Sequence, residues 1–300
     1  MSTLTNDVCD VSLPFRYNER FREPLSRRLC RVAFCSAYAM QPKRLELVPG
    51  LMLHTTRYLL GAELSIPALL DRNMPVGRKG LIGISNDMSV DSLVYAYSRG
   101  AFPFCHLGPM KWWAPEQRAV LFFNNAHIEK GTRKAIKRDR FDVTFDRNFA
   151  AVMRACAEPR PGKTPLTWLT PRVMRAFWEL HRVGLAHSVE VWDLEPQLVE
   201  GIFGVAIGGI FFGESQFSRV NGASKIASVF LNHHLAEWGF ALRDAKWISG
   251  HHAGAGFDVI PRSRFNALLE EHIPRPTQRG LWQESDDFDL ASVCSKAGIC

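Results

Sequence analysis

Two segments of the chain concentrate residues able to do chemistry. The first is Gly213-Glu214-Ser215-Gln216-Phe217-Ser218, followed closely by Asn221-Gly222-Ala223-Ser224-Lys225, a small and polar stretch between two apolar ones. A glycine-rich junction between a strand and a helix exposes backbone N–H groups and holds side chains on a rigid frame, which suits anion binding or acyl transfer. A solvated turn is the alternative. The second is a basic stripe in which Lys130, Arg133, Lys134, Lys137, Arg138 and Arg140 have only Asp139 as a nearby acid. Their spacing of three and four residues puts most of them on adjoining faces of a helix, where they either track phosphates or are simply solvated.

The elements that must position these groups follow from periodicity and punctuation. Ser89 opens a helix with apolar Leu93, Val94, Ala96 and Tyr97, stopped at Gly100, and Ala119 to Phe123 reads as a strand. Thr170 as N-cap, Pro171 at the first helical position and Gly184 at the end define an amphipathic helix through Val173, Ala176, Phe177 and Leu180. Ala186 to Trp192, Leu198 to Ile207 and Ile210 to Phe212 read as a meander of strands turning at Gly208-Gly209. Ser224 is expected to cap the next helix, which Gly239 stops before a strand from Ala241 to Ala245. The pattern predicts an N-terminal extension (1–64), a small α/β subdomain (65–125), a mixed-sheet domain (126–271) and a flexible tail (272–300). The arginines of the extension, interleaved with Phe15, Tyr17 and Phe21, make it either an RNA-contacting arm or a variable appendage.

Composition narrows the class. With 46% hydrophobic and 22% charged residues the chain can fill a core, and disordered or fibrous classes are excluded. A formal charge of +7 and a pI near 9.2 favour an anionic partner. Seven cysteines without a Cys-x-x-Cys pair fit a reducing cytosol, and His233-His234 and His251-His252 lack ligand spacing, so no metal is expected. No apolar run is long enough to span a bilayer.

Read in order, seven stretches, two of them within the polar run above, share one pattern. They are Tyr97-Ser98-Arg99-Gly100-Ala101-Phe102-Pro103-Phe104, Trp112-Trp113-Ala114-Pro115-Glu116-Gln117-Arg118, Thr167-Trp168-Leu169, the run from His181 to Trp192, Gly213-Glu214-Ser215, Ala223-Ser224-Lys225 and Ile260-Pro261-Arg262. Together they resemble the motifs of leucyl/phenylalanyl-tRNA-protein transferases, and an ordered series is more specific than any single motif. The resemblance implies an α+β fold, with an acetyltransferase-like (GNAT) mixed-sheet domain preceded by the small α/β subdomain. It further implies a cytoplasmic monomer without a cofactor, whose substrates are aminoacyl-tRNA and the N-terminus of a protein or peptide.

Residue roles follow from the same resemblance. Trp112 or Trp113 would stack the terminal adenosine, and Lys130, Arg133, Lys134, Lys137 and Arg138 would hold acceptor-stem phosphates. Glu214 would hold a cation, either the donor's α-amino group or the acceptor's N-terminal Arg or Lys side chain; a carboxylate capping a turn is the plain alternative. Asp244 matches the Asp of the family's Leu/Ile-Asp-Cys-Gln motif, which orients and deprotonates the acceptor amine, but Lys246 stands where the family has Gln. An ammonium only donates hydrogen bonds and adds a charge. Protonated, Lys246 repels a cationic acceptor; with its pKa lowered by burial it is a base; it equally suits a phosphate, an acidic acceptor or plain solvent. The donor pocket also departs, because Gln216, Ser228 and Arg243 stand at apolar positions, each worth about 1.5–3 kcal/mol of apolar burial in an enclosed site. Phe211 and Phe217 remain as walls, and Ser224 completes the substrate-binding set.

Three rival readings remain. Arg219-Val220-Asn221-Gly222-Ala223-Ser224 resembles the pyrophosphate loop of CoA-dependent N-acyltransferases, with Ser at the last position. Ser215, Asp244 and His251 stand in the order of a hydrolase triad, though without a second glycine after the serine. A non-catalytic tRNA-binding protein would keep the basic stripe and tolerate the altered pocket.

Overall fold

The computed structural model describes residues 21–39, 48–61, 65–72, 79–106, 108–126, 130–136, 140–159, 167–250, 252 and 254–283. Three short strands, β1 (Leu81–Ile84), β2 (Phe102–Pro103) and β3 (Lys111–Trp113), form a small antiparallel sheet in the order β1-β3-β2. A larger sheet contains β4 (Gln117–Phe122), β5 (Asp142–Phe145), β6 (Ala186–Trp192), β7 (Leu198–Ile207), β8 (Ile210–Ser218), β9 (Leu242–Lys246) and β10 (Asp258–Pro261). Its order is β10-β4-β9-β8-β7-β6-β5, antiparallel throughout except for the parallel pair β8–β9. The architecture is therefore mixed α+β.

Nine helices are described: α1 (Leu25–Ala39), α2 (Val48–Leu59), α3 (Ile66–Arg72), α4 (Val90–Ser98), α5 (Lys130–Ile136), α6 (Phe149–Ala157), α7 (Pro171–Arg182), α8 (Ala223–Glu237) and α9 (Arg262–His272). Helices α4, α6, α7 and α9 bury their apolar stripes on one face of the large sheet, around Phe149, Phe177, Phe203 and Phe212. On the opposite face α8 packs Ile226, Phe230 and Leu231 against Val189, Ile202 and Phe211. The alternation of inward residues along β7 and β8 feeds both cores, which makes these central strands buried on either side.

Local chemistry fixes the boundaries. Ser89 accepts from Ser92 N at the start of α4, and Thr170 accepts from Val173 N at the start of α7. The β7–β8 hairpin turns at Gly208, whose φ of +55° and close approach to the His272 carbonyl leave no room for a side chain.

Several expectations are corrected. β4, expected within the small subdomain, runs in the large sheet between β9 and β10, and one core joins both sheets. The Gly213-to-Ser218 run is the second half of β8, not a turn. Gly222, at φ +88°, is the N-cap of α8, which leaves Ser224 inside its first turn. The chain after α9 is packed as far as Trp282, which is 2% exposed, stacks on His187 at 3.8 Å and donates its backbone N–H to Asp146. Residues 284–300 lie outside the described ones. Within the extension, Phe21 is buried and α1 and α2 are formed.

Candidate active site

The two parallel strands part where the polar run begins. β8 and β9 pair at Ile210↔Leu242, Phe211↔Arg243 and Phe212↔Asp244, after which β9 keeps its ladder with β4 through Ala119↔Lys246. From Gly213 onward β8 pairs with β7 alone. Gly213 sits at the fork, where a Cβ would lie 3.3 Å from the Asp244 carbonyl oxygen. The β7–β8 register shifts here, with Phe203 opposite Ser215 and Gly204 opposite Gly213, so Glu214 is the extra residue of a bulge. A bulge re-aims its side chain, and this one turns the Glu214 carboxylate into the face that carries α4.

A chain of charges fills the fork. Lys246 Nζ pairs with Glu214 Oε2, and Tyr97 on α4 donates its hydroxyl to Glu214 Oε1 at 2.6 Å. Arg118 on β4 grips Asp244 with both prongs, Nε to Oδ1 at 2.6 Å and Nη2 to Oδ2 at 2.8 Å, while Nη1 donates to the Gly100 carbonyl at 2.8 Å. Asp244 Oδ1 also accepts the backbone N–H of Lys246 at 2.9 Å, which holds Lys246 at its left-handed φ of +65°. Phe102 lies 5.0 Å from both cations, Lys246 Nζ and Arg118 Cζ.

These groups are almost free of water: Asp244 is 0% exposed, Arg118 2% and Lys246 6%, and the Glu214 side chain is fully covered. Burial raises the Glu214 pKa and lowers that of Lys246, with each partner's charge opposing the shift of the other. Both shifts run toward the neutral acid and the neutral amine, which brings the two groups closer in proton affinity. Burial, and then the adjacent Glu214 charge, puts Tyr97 well above its ordinary range, so it stays a donor.

The other face of the fork carries a second polar group. Arg243 shares the face of Phe211 and donates Nη1 to Asn232 Oδ1 on α8 at 3.2 Å. Burial lowers its pKa to about 10 against the favourable charge of buried Glu200. Ser224, Ser228 and Asn232 recur at four-residue intervals, one face of α8, and Gln216 pairs with Ile202 on the same side of the sheet.

The expected site residues therefore fall into three groups. Glu214, Asp244 and Lys246 are brought together. Gln216, Ser228, Ser224, Arg243 and Phe211 lie toward α8, whereas Phe217 packs in the core of the opposite face, so it cannot wall the same pocket. Trp112 is 0% exposed and donates its indole N–H to the Ser85 carbonyl, which leaves no ring face for an adenine. Trp113, 7% exposed, donates to the Phe104 carbonyl at 2.7 Å. In the basic stripe, Arg133 is half-buried on α5; Lys137 and Arg138, with the side chains of Lys130 and Lys134, lie outside the described residues.

Two expectations of chemistry also change. Asp244 accepts from Arg118 through both oxygens and from the Lys246 backbone, and at 0% exposed it offers no open surface to an acceptor amine. The same pairing removes Asp244 from any triad with Ser215, and His251 is outside the described residues. Among the described residues no cluster of three or more His, Cys, Asp or Glu could hold a metal ion, and no helix is long and apolar enough to cross a membrane.

Sequence reasoning missed Arg118 and Tyr97 as site members. A lone arginine inside an otherwise apolar strand pattern was the signal for the first. Tyr97 read as one more apolar position of α4.

Comparison with known proteins places this geometry. A family model described as leucyl/phenylalanyl-tRNA protein transferase matches residues 120–270, and that family's N-terminal domain matches residues 86–116. The leucyl/phenylalanyl-tRNA--protein transferase of Azotobacter vinelandii is 43% identical over 66% of this chain and 87% of its own length. That of Pseudomonas syringae pv. syringae is 44% identical over 66% and 86%. A solved structure, that of L-PGS from Bacillus licheniformis, aligns with 70% of this chain and 69% of its own at a TM-score of 0.33 and 11% identity, too distant to carry an argument. The matched segments contain Tyr97, Glu214, Asp244 and Lys246, and the chain belongs to the leucyl/phenylalanyl-tRNA protein transferase family.

Proposed function

We propose that this chain transfers an aminoacyl group from aminoacyl-tRNA to the N-terminal amine of a protein or peptide, with the β8–β9 fork as its active site. The observation that carries the reading is the Tyr97–Glu214–Lys246 chain beside the open edge of β8. Transfer needs a neutral amine to attack the ester carbonyl carbon, a site for the oxyanion, and a proton for the departing ribose oxygen. The ester is already activated, so positioning and electrostatics supply most of the rate.

Lys246 and Glu214 meet the proton requirement together. With the proton of the pair on Glu214, the neutral Lys246 amine accepts a proton from the attacking acceptor; as the tetrahedral intermediate collapses, that proton passes to the ribose oxygen. Tyr97 holds the Glu214 carboxyl in place, and the Arg118–Asp244 pair fixes the Lys246 backbone. Backbone amides of β8 beyond Phe212, released from pairing with β9, face the oxyanion.

The parted parallel strands are the feature an acetyltransferase-like (GNAT) fold provides, and we read the large sheet in that way. The α8-side set of Gln216, Ser228 and Arg243 receives the donor side chain, and its polarity widens donor choice beyond Leu and Phe. The Lys130, Arg133, Lys134, Lys137 and Arg138 stripe carries acceptor-stem phosphates, and the acting species is a cytoplasmic monomer needing no cofactor. Incubation with a labelled aminoacyl-tRNA pool and a set of peptides should yield RNase-sensitive addition of one residue at the peptide N-terminus. Acylation from acyl-CoA that survives RNase would replace this reading with the CoA-dependent one.

A further inference from the structure

We infer that helix α1 and the residues leading into it, which lie outside both matched family segments, form one wall of the substrate cleft and bind the single-stranded 3′ end of the tRNA through Arg22 and Arg27. The inference rests on the transfer reaction proposed above. A cavity of about 680 Å³ is lined by Ser215 and Trp168 and by Arg22, Arg27 and Arg31. Ser215 is the residue after Glu214, so the cavity reaches β8 one residue from the proposed site.

The segment is tied down. Phe21 is 1% exposed and meets Trp178 edge-on at 6.2 Å. Arg31 donates to both Glu23 oxygens at 2.9 and 2.8 Å and to the His106 carbonyl at 3.2 Å. This brace sets the N-terminal turn of α1 against the cleft and consumes the charges of Arg31 and Glu23. Glu158, also on the lining, is paired with Arg219 at 2.8 Å. Arg22 and Arg27 are exposed and have no carboxylate partner among the described residues.

Two unneutralised guanidinium groups over an aromatic-lined cavity fit phosphates flanking a stackable base. Arg is the side chain best shaped for phosphate, and Trp168, 9% exposed, borders the same space as a stacking surface. A cationic peptide N-terminus would be repelled by the same pair. The nucleotides just before the aminoacylated ribose are therefore the occupant, with the ester reaching past Ser215 to the fork.

The test compares the whole protein with its Arg22→Ala/Arg27→Ala variant, both substitutions being at exposed positions. Binding of a tRNA acceptor minihelix with its 3′ single strand is measured over a range of salt, alongside the same minihelix trimmed of that strand. The variant should bind the intact minihelix roughly tenfold or more weakly near 0.1 M salt, with a log–log salt slope smaller by about 1.4, the value for two contacts to a single strand. On the trimmed minihelix the two proteins should agree. Equal affinity and slope on the intact minihelix would overturn the inference, as would an equal loss on the trimmed one. A raised KM for the acceptor peptide with unchanged minihelix binding would assign the wall to the acceptor instead. Because binding needs no turnover, failure of the transfer reaction itself would be seen separately.

Discussion

Replacing Asp244 by Asn tests whether this carboxylate is a strut or a base. The substitution keeps the volume and removes the charge, so no cavity forms. It leaves the Arg118 guanidinium, 2% exposed, without its counter-ion and sets an amide NH2 against a donor that now meets a carboxylate oxygen at 2.6 or 2.8 Å. Breaking a buried pair by removing one partner costs about 3–5 kcal/mol. At about 2–4 °C per kcal/mol for a chain approaching this size, the melting temperature should fall by roughly 6–20 °C. A thermal melt and urea unfolding at neutral pH read this directly. The double variant Arg118→Met/Asp244→Leu removes both charges and should recover a good part of the loss, while transfer stays impaired because Lys246 N–H loses its acceptor. If Asp244→Asn melts within about 2 °C of the parent yet fails to transfer, Asp244 acts on the substrate and the strut reasoning is wrong.

Three further outcomes are expected. Lys246→Gln should flatten the rise of single-turnover transfer with pH that the parent shows as Lys246, its pKa lowered by burial, gives up its proton; an unchanged profile would remove Lys246 from proton transfer. Trp282→Ala should destabilise the fold by about 3–5 kcal/mol, seen in urea unfolding, whereas a flexible tail would make it neutral. Glu190, buried on β6, has its pKa raised to about 7 by burial, above its ordinary 4.5. Its folded form therefore holds a proton that the unfolded chain has already released, so its stabilising contribution is full below pH 4.5 and is lost as pH rises through 7. Over that window the Glu190→Gln variant should show a flatter stability-versus-pH curve; an identical slope would contradict the assignment.

Some of this molecule was legible locally. β6 and β7 have the boundaries their alternation and the Gly208-Gly209 turn dictate, and Thr170 and Pro171 mark the start of α7. β8 was cut short because Gly213-Glu214-Ser215 carries turn composition; only the bulge, with Lys246 and Tyr97 as partners, lets a glutamate sit inside a strand there. Those partners are distant in sequence: Tyr97 lies 117 residues from Glu214, and Arg118 lies 126 from Asp244. Residue type alone cannot reveal such pairings. Likewise Trp282, in a stretch with few apolar neighbours, is buried by a pocket of His187 on β6 and Trp238 and Phe240 from the connection between α8 and β9. The acetyltransferase-like expectation rested on family resemblance, and what the chain itself displays is the mixed sheet with one parallel pair.

In the proposed reaction Lys246 is the group that exchanges the acceptor's proton. Single-turnover transfer by Lys246→Met, with aminoacyl-tRNA bound to saturation before peptide is added, measures that role with binding held constant. The rate should fall by about 10²–10⁴, the usual contribution of a positioned acid–base group, with tRNA affinity unchanged. A rate within about threefold of the parent, well short of that contribution, would show that the amine reacts without Lys246.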